Sequence, residues 1–226
     1  MKRAALILFA MMGISCQGNS NPMAQFKPEK LQDKQLANKG ETTMDDKKTE
    51  TAIFAGGCFW CTEAFFTEVK GVEKVVSGYI GGKTENPTYK EVCGGYTGHA
   101  EAIQITYNPS EVAYEDLLEI FFATHDPTTL NRQGNDVGTQ YRSEIFYTTE
   151  AQKVSAENFI KLLTDQDIFG KKIVTKVSKA TTFYPAEEYH QDYYAINPDQ
   201  PYCSMVIAPK MDKLKKNYAS KLKKKN

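Results

Sequence analysis

A mixed α/β or α+β domain from about Thr49 to Pro209 is what the sequence predicts, and three observations predict it. Segments of strand-like and helix-like periodicity take turns along this stretch. A Gly-Gly break turns one of those strands directly into a helix. Hydrophobic residues make up 41% of the chain and charged residues 25%, which suits a globular core and excludes a disordered or fibrous chain.

Thr51 to Ala55 is a short β-prone run, and Gly56-Gly57 ends it just before Cys58-Phe59-Trp60-Cys61-Thr62-Glu63-Ala64-Phe65-Phe66. That order reads as strand, tight turn, helix. Glu73 to Ile80 alternates as a second strand, and Gly81-Gly82 with Asn86-Pro87 marks the loop after it. Ala100 to Tyr107 is the clearest strand, with Ile103, Ile105 and Tyr107 on one face and Ala100, Ala102, Gln104 and Thr106 on the other. Glu101 falls on the apolar face. Tyr114 to Thr124 places Leu117, Leu118, Phe121 and Phe122 at helical spacing; Arg142 to Tyr147 reads as a strand and Glu150 to Thr164 as a helix. Lys172 to Lys179 closes the series as a strand with Ile173, Thr175 and Val177 on one side.

Outside this domain the chain divides in three. Residues 1–16 have the order of a secretory signal: Lys2 and Arg3, an apolar run from Ala4 to Met12, then Gly13-Ile14-Ser15-Cys16. The apolar run is too short to cross roughly 30 Å of hydrocarbon as a helix. The small residues ahead of Cys16 resemble the lipobox of bacterial lipoproteins, with Gly13 where that pattern usually has Leu. The resemblance implies acylation at Cys16, export to a bacterial cell envelope, and membrane contact through that lipid. Residues 17–48 are polar and hold too little apolar surface to offset the entropy of ordering, so they read as a tether. Residues 210–226 form a lysine-rich tail with Met211, Leu214, Tyr218 and Leu222 at three- to four-residue spacing. The plain reading is a solvated basic helix; the sharper one is contact with an anionic membrane surface.

Lys plus Arg and Asp plus Glu number 28 each, so no global positive charge is present to hold a nucleic acid backbone. The five cysteines are odd in number and irregular in spacing, unlike a disulfide framework, and must be read one at a time. Cys58 lies at the start of a helix, where unsatisfied N–H groups and the macrodipole favour a thiolate and predict a lowered pKa. Cys61 follows three residues later, within reach of a disulfide. A lone C-x-x-C pair also describes thioredoxin-like oxidoreductases, while zinc is disfavoured because no second pair or paired histidines supply further ligands. Glu101, on an apolar strand face, is expected to be desolvated, with its pKa raised toward that of a general acid.

Six blocks in order then resemble the methionine sulfoxide reductase A family: Gly56-Gly57-Cys58-Phe59-Trp60, Asn86-Pro87-Thr88-Tyr89, Thr97-Gly98-His99-Ala100-Glu101-Ala102, His125-Asp126-Pro127, Arg132 to Ser143, and Tyr189-His190-Gln191. Together they span roughly Thr51 to Pro209. The resemblance implies a two-layer sandwich of the ferredoxin-like plait type with long wrapped loops. It implies reduction of methionine S-sulfoxide, free or in oxidised peptides and proteins, with Cys58 as nucleophile and Glu101 as the acid that protonates the departing oxygen. Tyr89 and Tyr141 match the phenols that bond that oxygen, and Asp136 an acid that organises the site. Phe59 and Trp60 match the aromatic wall around the substrate methyl, a task to which ring faces are suited.

The family passes through a sulfenic acid that a second thiol condenses with. Many members have Gly where this chain has Cys61 and use a cysteine near the C-terminus, for which Cys203 is the candidate here; Cys61, Cys203 or a relay through both could resolve. Cys93 matches a position expected to be an internal structural thiol. His99 and His125 are expected to be structural, and His190 to orient the C-terminal segment. The resemblance further implies no metal or prosthetic cofactor, an external dithiol such as thioredoxin, and a monomer. A disulfide exchanger built on Cys58 and Cys61 would instead tolerate Glu101→Gln, and a peptide-binding lipoprotein without catalysis would tolerate Cys58→Ser.

Overall fold

The computed structural model describes residues 22–25 and 49–224. The leader, Cys16 and most of the tether lie outside the described residues.

Strand β1 (Glu50–Gly56) alternates Ala52 and Phe54 toward one side with Ile53 and Ala55 toward the other. It runs through the Gly56-Gly57 turn into α1 (Phe59–Thr67), as the glycine pair predicted. Strands β2 (Val72–Ile80) and β3 (Ala100–Tyr107) pair antiparallel, with the short helix α2 (Tyr89–Cys93) between them in sequence. Helix α3 (Tyr114–Thr124) follows, then a hairpin of two-residue strands, β4 (Arg132–Gln133) and β5 (Asp136–Val137). After β6 (Ser143–Tyr147) and α4 (Glu150–Asp165), strands β7 (Lys176–Lys179) and β8 (Tyr184–Pro185) complete the sheet.

The sheet order is β7-β6-β1-β3-β2-β8. Its centre, β6-β1-β3-β2 with α1 and α3 as connections, is the split β-α-β arrangement of the ferredoxin-like plait. Every pairing is antiparallel except β6 with β7.

Helices cover one face. Phe54, Ile103, Ile105 and Ile145 of the sheet meet Phe65 and Phe66 of α1, Leu117 and Phe121 of α3, and Phe159 of α4 in one buried cluster. The Phe54 and Phe121 rings stack at 4.9 Å. The opposite face holds a smaller cluster of Ile53, Ala55, Ile80, Ala100, Ala102 and Phe146, covered by Ala180 and Phe183. This is why β3 alternates so clearly: each of its faces has an apolar partner, and Glu101 is carried on the helix-covered side.

Two expectations are corrected. The last strand is shorter than Lys172 to Lys179, because residues 172–175 turn away to other partners. The Val174 N–H bonds the Pro127 carbonyl at 2.8 Å, and Thr175 Oγ1 meets Ser143 Oγ at 2.7 Å. The lysine-rich tail is not a solvated appendage and Pro209 is no boundary. Helix α6 (Ala208–Tyr218) buries Met211, Leu214 and Tyr218 in the main core, and Leu222 follows them. The Lys70 N–H bonds the Lys221 carbonyl at 2.9 Å and the Lys223 N–H bonds the Glu68 carbonyl at 2.8 Å, while Lys221 Nζ reaches Glu119 at 2.7 Å.

Candidate active site

Gly57 holds φ +93°, a region that costs an L side chain strain, and a Cβ there would come within 2.6 Å of the Gln133 side chain. The turn therefore requires glycine on two counts. It delivers Cys58 to the N-cap of α1, one residue before the helix proper, with φ −56° and ψ 123°. Cys58 retains 9% of its accessible surface, so the thiol is narrow of access but not sealed.

On β3, Glu101 is 1% exposed, and its Oε2 accepts the Phe59 N–H at 3.0 Å. The strand thus sets a carboxyl against the first turn of the helix that Cys58 caps. Burial pushes the Glu101 carboxyl up to about 8 against the pull of that N–H, with the charges of Asp136 and Cys61 raising it further. The expected neutral acid is present.

The expected thiolate at Cys58 is not. Burial raises this thiol well above its ordinary value, and interaction with Cys61, then the charges of Cys61 and Glu101, raise it further; the Tyr202 hydroxyl opposes them. Cys61 is lowered, first by the hydrogen bond from Cys58 and then, against burial, by the Lys210 charge and Tyr202. The two sulfurs titrate as one unit, with Cys58 raised and Cys61 lowered.

Aromatic residues from three parts of the chain enclose this pair. Phe59 lies between Tyr79, at 5.8 Å between centroids, and Tyr89, at 6.3 Å. Trp60 stacks on Tyr193 of α5 (Tyr193–Ile196) at 3.8 Å and 8° and meets the Tyr202 ring edge-on at 5.9 Å. Its indole N–H donates to His190 Nδ1 at 3.1 Å. A neutral His190 therefore carries its proton on Nε2, which is buried without a partner among the described residues. Burial lowers the His190 pKa, which favours the neutral form.

Tyr89 and Tyr141 both feel the Glu101 charge and are both raised, chiefly by burial, so each hydroxyl stays a donor. Asp136, carried by the β4–β5 hairpin, accepts from the Tyr202 hydroxyl at 2.8 Å, and that oxygen lies 3.7 Å from Cys61 Sγ.

The predicted residues thus converge, but unequally. Cys58, Glu101, Phe59, Trp60, Tyr89, Tyr141, Asp136 and Cys61 surround one another. Cys203 is fully buried in a π-helical turn (Cys203–Ile207) beside Tyr202, where the Cys61 charge reaches it. Cys93 is exposed, contrary to the expectation of an internal thiol: α2 ends there at the surface, and Tyr89 donates a hydrogen bond to it. His125 is half-buried and held to about 4 by desolvation, bonded to the Phe121 carbonyl and Ser143. His99 bonds the Gly82 N–H and the Thr84 carbonyl.

Tyr193 and Tyr202 were not singled out from sequence. Tyr202 adjoins Cys203, but nothing local shows that a residue so distant along the chain bridges Cys61 and Asp136. Among the described residues no group of three potential metal ligands is present.

Two thiols in one helical turn beside a neutral carboxyl define a thiol-based redox centre. The sequence pattern described as peptide methionine sulfoxide reductase matches residues 50–223. The chain is 58% identical over 174 residues to "Peptide methionine sulfoxide reductase MsrA" of Deinococcus radiodurans, covering 77% of this chain and 84% of that one. The corresponding figures for the Acinetobacter baumannii protein of that name are 56% identity over 174 residues, with 77% and 99% covered. Among solved structures, the chain is similar to reduced Mxr1 from Saccharomyces cerevisiae, with TM-score 0.64 and 35% identity over 71% of this chain and 92% of that one. Methionine sulfoxide reductase A of Corynebacterium diphtheriae matches with TM-score 0.59 and 36% identity, covering 66% and 76%. The chain belongs to the peptide methionine sulfoxide reductase family.

Proposed function

We propose that the protein reduces methionine S-sulfoxide, free and in oxidised proteins, with Cys58 as nucleophile, Glu101 as acid and Cys61 as the first resolving thiol. The observation that carries this reading is the Glu101 carboxyl, neutral at pH 7 and bonded to the first N–H of the helix that Cys58 caps.

The substrate methyl rests against Phe59 and Trp60, and the sulfoxide oxygen accepts from Tyr89, Tyr141 and the protonated Glu101. As the Cys58 sulfur attacks the sulfoxide sulfur, its proton passes to the neighbouring Cys61 sulfur, the more acidic thiol of the two, and Glu101 gives its proton to the oxygen. The S–O bond breaks, the released hydroxide adds to the Cys58 sulfur as the new bond between the two sulfurs breaks, the substrate leaves as a thioether two electrons reduced, and Cys58 is left as the sulfenic acid. Cys61, now a thiol one turn away, attacks the sulfenic sulfur; water leaves and a Cys58–Cys61 disulfide remains. The position of Cys203 behind Tyr202 suits a second exchange, in which it takes over the Cys61 sulfur. A thioredoxin-type dithiol then reduces the disulfide, with no prosthetic cofactor. Acylation at Cys16 places this chemistry in the cell envelope. A donor there must draw its electrons from across the membrane, since a cytosolic dithiol cannot reach it.

The test is anaerobic reaction of the reduced enzyme with one equivalent of methionine S-sulfoxide, followed by peptide mapping. The expected product is one methionine and a Cys58–Cys61 disulfide. A first disulfide joining Cys58 to Cys203 would overturn the assignment of Cys61, and full turnover by Cys58→Ser would overturn the reading as a whole.

A further inference from the structure

Among the described residues, the N-terminal segment meets the domain at Met23. Met23 is 1% exposed among the core residues, and the Tyr218 hydroxyl donates to its carbonyl at 3.3 Å. Pro22, exposed, lies at the wall of a cavity of about 580 Å³. Phe122, Phe169 and Leu214 contribute its apolar lining, and Lys171, Lys210 and Lys213 its cationic lining. All three lysines are exposed, and none forms an ion pair among the described residues. Lys221, further along the same tail, is by contrast held by Asp116 and Glu119. The carboxylate in the cavity, Asp126, is engaged by the N–H and hydroxyl of Thr128 at 2.9 and 2.6 Å. In a chain whose charges cancel overall, three cations without an ion pair among the described residues are thus gathered beside Pro22.

The geometry of the chain limits what can cover this cavity. From Cys16 to Pro22 a fully extended backbone reaches at most about 20 Å. We propose that the cavity is a docking site for the phosphate headgroups of an anionic lipid surface, and that Lys171, Lys210 and Lys213 hold this face of the enzyme against the membrane beside its own anchor. The proposal rests on acylation at Cys16 for its geometry and on the lysines for its affinity. Cations within a Debye length of an anionic surface add their attractions, while the lipid keeps the domain within that reach. Gln133, which also lines the cavity, backs Gly57 in the catalytic turn, so the docked face adjoins the active site. Oxidised proteins at the membrane surface are then the substrates within easiest reach.

The chain from Gln17 to Asn226 contains every residue of the described fold and separates the two contributions, since it lacks Cys16. It is mixed with vesicles of phosphatidylcholine alone or with one quarter phosphatidylglycerol and recovered by flotation. Salt-sensitive binding to the anionic vesicles alone is expected, falling about 100-fold in Lys171→Gln/Lys210→Gln/Lys213→Gln. Lys74→Gln/Lys83→Gln/Lys90→Gln, elsewhere on the surface, is expected to bind as before. Circular dichroism melting checks that both variants fold. Equal binding to neutral and anionic vesicles, or equal losses in the two triple variants, would overturn the docking site. Mass spectrometry of the protein from cell envelopes reports the acyl group on Cys16 independently, so failure of that reading is told apart from failure of the docking.

Discussion

Cys58 occupies a position where helix geometry alone argues for an anion, yet its thiol is held neutral. The macrodipole at a helix N-terminus contributes about 0.3–1 kcal/mol at an exposed site, whereas removing a charge from water costs several. Burial wins, and the site keeps the proton on Cys58. If Cys61 receives that proton, Cys61→Ser should slow methionine release in the first turnover by 10- to 100-fold and let the sulfenic acid accumulate, as read by rapid quench and a sulfenate-trapping reagent. Glu101 presents the complementary case. With its pKa near 8, kcat/KM should fall as pH rises through about 8. Glu101→Gln should lose a factor of 10² to 10⁴ at pH 7, and its residual activity should lack that limb. The same residue opposes folding. An acid whose folded pKa is raised contributes stability below its unfolded value, near 4.3, and loses it as pH climbs toward 8. Glu101→Gln should therefore melt higher at pH 7, by on the order of 2–3 kcal/mol in urea unfolding.

Between elements, the aromatic wall depends on an acid that holds it through the backbone and not through a ring. Glu63, one turn along α1 from Trp60, is buried, and its Oε2 accepts the Tyr193 N–H at 3.3 Å. It thereby seats the first turn of α5, and α5 in turn presents the Tyr193 ring to Trp60. Glu63→Ala should free that ring. Trp60 is the sole tryptophan of the chain, so its fluorescence reports the change directly. A 3- to 10-fold rise in KM with kcat little altered is expected, corresponding to roughly 1 kcal/mol for one hydrogen bond. Glu63→Gln, whose amide oxygen can still accept the N–H, should restore both.

For the molecule as a whole, the tail is part of the core. Met211, Leu214, Tyr218 and Leu222 close the helical layer over α1 and α3, and Lys221 ties the chain end to α3. Truncation after Pro209 should abolish cooperative unfolding, and Leu214→Ala alone should cost about 2–5 kcal/mol in urea titration. A domain that tolerated the truncation with its melting temperature unchanged would show that the tail is packed without being needed.

Alternation along β3 and the Gly-Gly break made the strand, the helix start at Cys58 and the buried carboxyl of Glu101 legible in the sequence, because each is written in spacings of a few residues, while the plait was legible only through the resemblance carried by the six motif blocks. Period-2 burial marked Glu101 as a carboxyl out of water, and its raised pKa followed from that alone. The charge state of Cys58 was not legible, since it depends first on burial by the packed fold and then on Cys61, Glu101 and Tyr202 arriving together from three separate stretches. Nor was Tyr193 on Trp60, Tyr202 between Cys61 and Asp136, or the exposure of Cys93. The tail misled for a related reason: its lysines dominate the composition, while four apolar side chains decide where it lies. Local sequence determined which elements form and which face of each is apolar; the tertiary structure decided which ionisable groups share a space, because their mutual energies act over a few ångströms regardless of distance along the chain.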